Sequence, residues 1–272
     1  MIRSMYSGVS GMRGFQTKLD VIGNNIANVN TAGYKAGRVM FKDIMSQTIS
    51  GVTPPGDNQG GINAKQIGLG VEIAAIDTIH TGGSAMTTNR PLDLRIDGDG
   101  FFPVRLSEDQ EVPFLTRAGD FHLDADRNLV TSDGMFVMSS DGANIQLGED
   151  VTSFTISETG EIIAKINDGT TSATGTFIGV VKVPNPEGLE KMGGNLYRST
   201  PNSSPDGEVT ITNANNGEVG TGAIISGQLE MSNVDLTAEF TEMIVAQRGF
   251  QANSRIITTS DEVLQEVVNL KR

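Results

Sequence analysis

Cysteine and tryptophan are absent from this chain of 272 residues, and histidine occurs only twice. Without cysteine there is no disulfide, no thiol nucleophile and no cysteine-bound zinc. There is also no run of 18 apolar residues, the length a helix needs to cross a bilayer. The opening Met-Ile-Arg-Ser-Met-Tyr-Ser-Gly lacks the apolar segment of a cleavable signal peptide, so any export is expected to proceed without cleavage. Aromatic residues are few, at 5%. Basic residues are outnumbered by acidic ones, 20 to 33, for a net charge of −13. Partners such as nucleic acid or an anionic membrane need clustered Lys and Arg, and neither is expected here.

What the chain does have is glycine, 33 residues or about 12%, against roughly 7% in average proteins. That points to a turn-rich β body. Charge is unevenly placed. Residues 1–42 hold Arg3, Arg13, Lys18, Lys35, Arg38 and Lys42 against Asp20 alone, a net +5, which leaves −18 for the remainder. A basic head on an acidic body attracts neighbouring copies head to body.

Both ends read as helix. An apolar seam runs through Met5, Gly8, Met12, Phe15, Leu19, Ile22, Ile26 and Val29 at alternating steps of three and four, the a and d spacing of a coiled coil. Near the far end Leu236, Met243, Phe250, Ile257 and Leu264 recur every seven residues. Phe240, Ala246, Val267 and Val268 partly fill the other side of that second seam, and Asp235 is placed to cap its helix. The rest of that side is polar, so one strong contact line is expected on this helix. Asn24, Asn25, Asn28, Asn30 and Gly33 gather where the first helix should stop, since Asn and Gly enter left-handed backbone cheaply. They read either as an ordinary stop or as a fixed exit angle.

The middle reads differently. Asp-Gly pairs start at Asp97, Asp99, Asp133, Asp141, Asp168 and Asp206, with Asn216-Gly217 adding another. They are strong hairpin signals and separate strand-like runs at 71–79, 92–96, 101–106, 121–123, 134–138, 153–157, 161–166 and 177–183. The expected fold class is therefore α+β: paired, coiled-coil-like terminal helices with a mainly antiparallel β central domain. The expected division is a helical assembly domain of residues 1–34 plus 233–272, a linker at 35–75 whose Gly and Pro residues make it irregular around 46–70, and a β domain at 76–232. Residues 201–222 read as an exposed loop.

Residues 22–35, Ile-Gly-Asn-Asn-Ile-Ala-Asn-Val-Asn-Thr-Ala-Gly-Tyr-Lys, closely resemble the N-terminal signature of bacterial flagellar rod and hook proteins. Residues 240–254, Phe-Thr-Glu-Met-Ile-Val-Ala-Gln-Arg-Gly-Phe-Gln-Ala-Asn-Ser, and the run on to Val268-Asn269-Leu270 resemble the same family's C-terminal helix. Residues 92–102 and 188–197 are similar to its central β region. Within the family, residues 244–250 are most similar to hook proteins. The length is similar to that of the distal rod protein or of the short hook proteins of Gram-positive bacteria. The resemblance implies a subunit that self-assembles into the flagellar hook, the flexible tubular joint between rod and filament, with the distal rod subunit of the basal body as the alternative. It also implies export through the flagellar type III apparatus, a location outside the cell without a cleaved signal, and partners comprising copies of itself, the distal rod protein, the hook cap and the hook–filament junction proteins.

The seams agree with that implication. Burial within one isolated helix pair falls short of the entropy cost of ordering it, so neighbouring copies are expected to supply the rest, through contacts that do not close into a ring. No cofactor or catalytic activity is expected. Asp124, Asp126 and Asn128 match the start of a calcium loop, but Leu129 and Met135 stand where Gly and Glu are required. His80 and His122 lie in separate strand-like runs, and no activated serine setting surrounds Asp77 and His80. Arg248 and Arg255, seven apart on one helix face, read as a solvated face or as salt-bridge donors to a neighbouring subunit. A secreted enzyme lacks a convergent catalytic cluster, and a secreted β-rich adhesin does not account for heptads at both ends.

Overall fold

A computed structural model describes residues 2–55, 60–107, 110, 112–148, 151–166 and 171–270. Helix α1 spans Ile2–Ala27 and helix α2 spans Leu236–Leu270. Between them lies a mainly antiparallel β region, so the fold is α+β. The chain forms two compact units. One holds α1, the segment Gly37–Thr78, and Asp235 with α2. The other holds Asn28–Ala36 and Ile79–Val234.

In the first unit α1 and α2 pack antiparallel. Positions facing each other run from Gly8 with Ile257 to Asn25 with Glu239. Strand Gly37–Asp43 pairs antiparallel with Val71–Thr78, with a register irregularity at Met40/Phe41 that brings Phe41 against Gly14 and Phe15 of α1. Strand Ser46–Ser50 pairs with Lys65–Gly68, and the ladder is extended by a bridge between Thr53 and Ile62. This is a correction to the irregular stretch expected around 46–70. The segment is a pair of hairpin ladders: Val71–Thr78 falls on the strand-like run expected at 71–79, while Ser46–Ser50 and Lys65–Gly68 are exposed throughout and show no inside–outside alternation for a sequence reading to detect. Gly56, one of the residues read as linker, lies outside the described residues.

In the second unit, among the described residues, one antiparallel sheet runs in the order Glu190–Gly193, Leu196–Arg198, Phe114–Thr116, Phe102–Arg105, Phe136–Val137, Leu129–Val130, His122–Leu123. A three-stranded sheet is formed by Val151–Ile156, Glu161–Ile166 and Thr171–Phe177. The main core gathers Leu94, Phe102, Val104, Phe121, Ile178 and Ile224, among others. Phe101 goes to a second cluster with Leu115, Val181 and Tyr197. Neighbours along an extended chain point to opposite faces, so Phe101-Phe102 serves two cores.

Asp133-Gly134 turns one hairpin and Asp141-Gly142 another, each with Gly in the left-handed region at φ +80° and +79°. The pairs at Asp97 and Asp99 instead link two strands that pair with other partners, Leu94–Asp97 with Ala223–Ser226 and Phe102–Arg105 with Phe114–Thr116. Asp206-Gly207 falls in a 3-10 turn, and Asp168-Gly169 lies outside the described residues. Residues 201–222 are not a plain exposed loop. They contain strand Ile211–Asn213 and the buried Ser203, Ala214 and Thr221.

Candidate assembly interface

The helix pair is built around small residues. A Cβ on Gly11 would lie 2.8 Å from Nδ2 of Asn253, and one on Gly249 would lie 2.6 Å from Cζ of Phe15. Gly8 faces Ile257 in the same way. Lys18 forms an ion pair with Glu242, and Asn25 donates from Nδ2 to Oε1 of Glu239 at 3.0 Å. Burial raises the Glu239 carboxyl above its ordinary value, the Asn25 hydrogen bond opposes that, and the nearby Glu242 charge adds to it. At its start α2 is capped by Asp235, whose Oδ1 accepts from the backbone N–H of Thr237 at 2.8 Å.

Of the first predicted seam, Ile22 is buried and Met5, Met12, Phe15, Leu19 and Ile26 are half-buried. Val29 lies past the end of α1, within Asn28–Ala36 of the second unit. Of the second seam, Met243, Ile257 and Leu264 are half-buried, whereas Leu236, Phe240 and Phe250 are exposed. The line that packs on α1 passes instead through Glu239, Glu242, Gly249, Asn253 and Ile257. Ala246, in the same row, is the fully buried residue of α2. The reason is geometric. A strict seven-residue repeat drifts about 20° per heptad around a straight helix. Ile257 and Leu264 stay on the packed side, while Leu236, four heptads away from Leu264, has turned off it by about 80°.

The expected helix stop is also resolved into separate roles. Asn24 is an exposed helical residue. Asn25 is buried within α1 and clamps strand Gly37–Asp43: its Nδ2 donates to the Gly37 carbonyl at 2.9 Å and its Oδ1 accepts from the Gly37 N–H at 3.0 Å. Asn28 closes the turn, its carbonyl accepting from Thr31 N–H at 3.2 Å and its Oδ1 from the Thr31 hydroxyl at 3.1 Å. Asn30 is exposed in that turn. Gly33, at φ +70°, donates its N–H to the Glu230 carbonyl, and a Cβ there would stand 2.6 Å from the backbone nitrogen of Ala118. Only glycine fits.

The segment after α1 is anchored in the second unit by charges the sequence reading did not single out. Lys35, Arg117 and Glu230 are all buried. Lys35 donates from Nζ to Oε1 of Glu230 at 2.6 Å and to the Thr81 carbonyl at 2.8 Å. Arg117 donates to Oε2 of Glu230 at 3.0 Å and to the Gly98 carbonyl at 2.8 Å, with its guanidinium 5.3 Å from the Phe101 ring centre. Burial opposes the Glu230 charge, but Arg117 and Lys35 outweigh it and hold the carboxyl below the usual range. Burial lowers Lys35, with Glu230 offsetting part of the shift. His80 lies edge-on to Phe101 and Tyr197, at 5.7 and 5.5 Å. Asn233 ties three passages of the chain together: it accepts from Ala36 N–H at 2.8 Å and donates to the carbonyl of Ile79 at 2.8 Å, while Ile79 N–H donates to the Ala36 carbonyl. The only sequence signal for this node is a charge between apolar neighbours, Leu229-Glu230-Met231.

The two units differ in what they leave uncovered. The first exposes large apolar side chains along its hairpins, including Met45 at 80% and Ile49 at 63%, and along α2, including Phe240 at 50% and Leu270 at 86%. Arg248 and Arg255 are exposed on α2 and make no ion pair among the described residues. Single exposed apolar residues are ordinary, but so many on two hairpins and one helix mark this unit as the one that offers an interaction surface. Also among the described residues, no helix is long and apolar enough to cross a membrane, and no cluster of three or more metal-ligating side chains occurs.

Three family models match the chain. "Flagella basal body rod protein" matches residues 5–35, "Flagellar hook protein FlgE/F/G D1 domain" matches 95–164, and "Flagellar basal body rod FlgEFG protein C-terminal" matches 225–270. The chain is 55% identical over 273 residues to the flagellar basal-body rod protein FlgG of Bacillus subtilis (strain 168), covering 100% of both chains. It is 38% identical over 275 residues to the protein of the same name from Borreliella burgdorferi, again covering 100% of both. With the flagellar hook protein FlgE of that organism the identity is 30% over 449 residues, covering 100% of both. The chain belongs to the flagellar rod and hook protein family, as a structural subunit of the bacterial flagellum.

Proposed function

We propose that the chain is a subunit of the distal rod of the flagellar basal body, polymerising with copies of itself and carrying no catalytic activity. The observation that carries this reading is the 55% identity over the full length of a basal-body rod protein, against 30% over the full length of a hook protein. Preference accordingly moves from the hook to the rod, and the hook cap and hook–filament junction proteins, expected neighbours of a hook subunit, lose their support as direct partners. The physical reading is consistent with a polymer: one unit holds two apolar cores, and the other leaves its apolar faces open. Arg248 and Arg255 are proposed to pair with acidic groups on neighbouring copies. Export is proposed to run through the flagellar type III apparatus without cleavage of a signal.

The test is to isolate hook–basal bodies and label this chain with antibody for electron microscopy. Label on the rod is expected. Label along the hook would return the chain to the hook reading.

A further inference from the structure

We propose that the C-terminal end of α2 of one copy docks in a groove between α1 and the strands of the first unit of a second copy. The proposal rests on the chain being a polymer subunit, but not on whether the polymer is rod or hook. The groove has a volume of about 570 Å³ and is lined by Tyr6, Val9, Ile44, Val71 and Ile73. Tyr6, at 71% exposure, is left standing at its side. It carries one charge of each sign, Arg13 and Glu72. Glu72 lies 3.4 Å from Lys42, whereas Arg13 has no ion pair among the described residues.

The occupant follows from the helix offset. Gly11 faces Asn253 and Gly8 faces Ile257. At ~1.5 Å rise per residue on each antiparallel helix, the start of α1 stands level with about residue 263 of α2. The last turns, 264–270, therefore extend roughly 10 Å past α1. They carry Val267, Val268 and Leu270, exposed at 51, 66 and 86%. That projection also bears the exposed Glu266. The projection and the groove are thus complementary: each is apolar, and Glu266 is set to meet Arg13. α2 is a continuous helix leading away from the groove of its own copy, so it cannot fill that groove itself. The contact joins two different surfaces, and such a contact repeats as an open helical array.

The absence of native cysteine makes the test clean. Val9→Cys and Val268→Cys variants are produced separately and together in flagellated cells, and isolated polymers are oxidised with copper phenanthroline. Mixed single variants should give a disulfide-linked dimer, and the double variant a ladder, with no such product from either single variant alone. A second arm uses charge. Arg13→Glu should lower the yield of assembled polymer, and adding Glu266→Arg should restore it. Polymers that form normally without the mixed crosslink, or from a chain ending at residue 262, would overturn the proposal. So would a crosslink from Val9→Cys to Ile49→Cys in place of Val268→Cys, which would seat the hairpin of a second copy in the groove. Rod or hook location does not enter these readouts, so the two readings fail separately.

Discussion

Gly249 on α2 lies under the ring of Phe15 on α1, where a methyl group would stand 2.6 to 2.9 Å from three ring atoms. The ring has little room to retreat, because Phe41 packs against it from the strand side, tilted by 48° with 5.9 Å between centroids. Gly249→Ala is therefore expected to pry the helices apart and to reduce polymer formation, although alanine is intrinsically the better helix former by about 1 kcal/mol. Gly23→Ala is the control. Nothing lies within 4 Å of a Cβ at that position, so it should stabilise the pair. Motility and thermal unfolding followed by helical circular dichroism measure both.

The buried node makes a second prediction. Glu230→Ala leaves Lys35 and Arg117 without their carboxylate partner in the interior, a change that typically costs about 3–5 kcal/mol. Denaturant unfolding of the purified chain should show it. The sign of the pH effect follows from the lowered Glu230 value. Its stabilisation is present above the ordinary carboxyl value of 4.5 and is lost as pH falls below that, through the lower folded value. The acid limb of stability should flatten in Glu230→Gln.

His80 titrates in a different window. Burial, with the Lys35, Lys191 and Arg117 charges adding to it, lowers its pKa from 6.5 to about 4. The unfolded chain gains a proton below pH 6.5 that the folded chain does not accept until about pH 4. Stability is full above 6.5 and falls as pH drops from 6.5 towards 4, with a slope approaching ~1.4 kcal/mol per pH unit. His80→Phe, which keeps a ring beside Phe101 and Tyr197, should remove that slope in urea titrations at successive pH values.

The outer hairpin makes a prediction about mechanics. Every residue of Ser46–Ser50 and Lys65–Gly68 is exposed, and so are Pro54, Pro55, Gly60 and Gly61 nearer its tip. Deleting residues 54–61 removes no core side chain among the described residues, so the fold should persist. In a rod this segment is expected to lock neighbouring copies, and shortening it should lower the persistence length of imaged polymers. Straight, stiff wild-type polymers fit a rod; flexible, curved ones would favour a hook.

The sequence alone determined the two terminal helices and the β body between them, because a helical face repeating over many residues is a local signal that chain spacing carries. It also determined the family, through residues 22–35 and 240–254. It could not select which line of α2 packs. Leu236, Phe250 and Leu264 look equivalent in a heptad, and only the straightness of the helix and the small Gly249 rotate the contact onto the row of Ala246. Nor could it assign Asn25, whose partners Gly37 and Glu239 lie 12 and 214 residues away. Within 37–78 the run at 71–79 was legible as a strand, whereas Ser46–Ser50 and Lys65–Gly68 stayed hidden because every residue in them is exposed and no alternation marks them. Tertiary structure alone decided the Lys35–Glu230–Arg117 node. Its members lie 195 and 113 residues apart, and three isolated charges become a site only when folding removes water from around them and sets one carboxylate between the two cations.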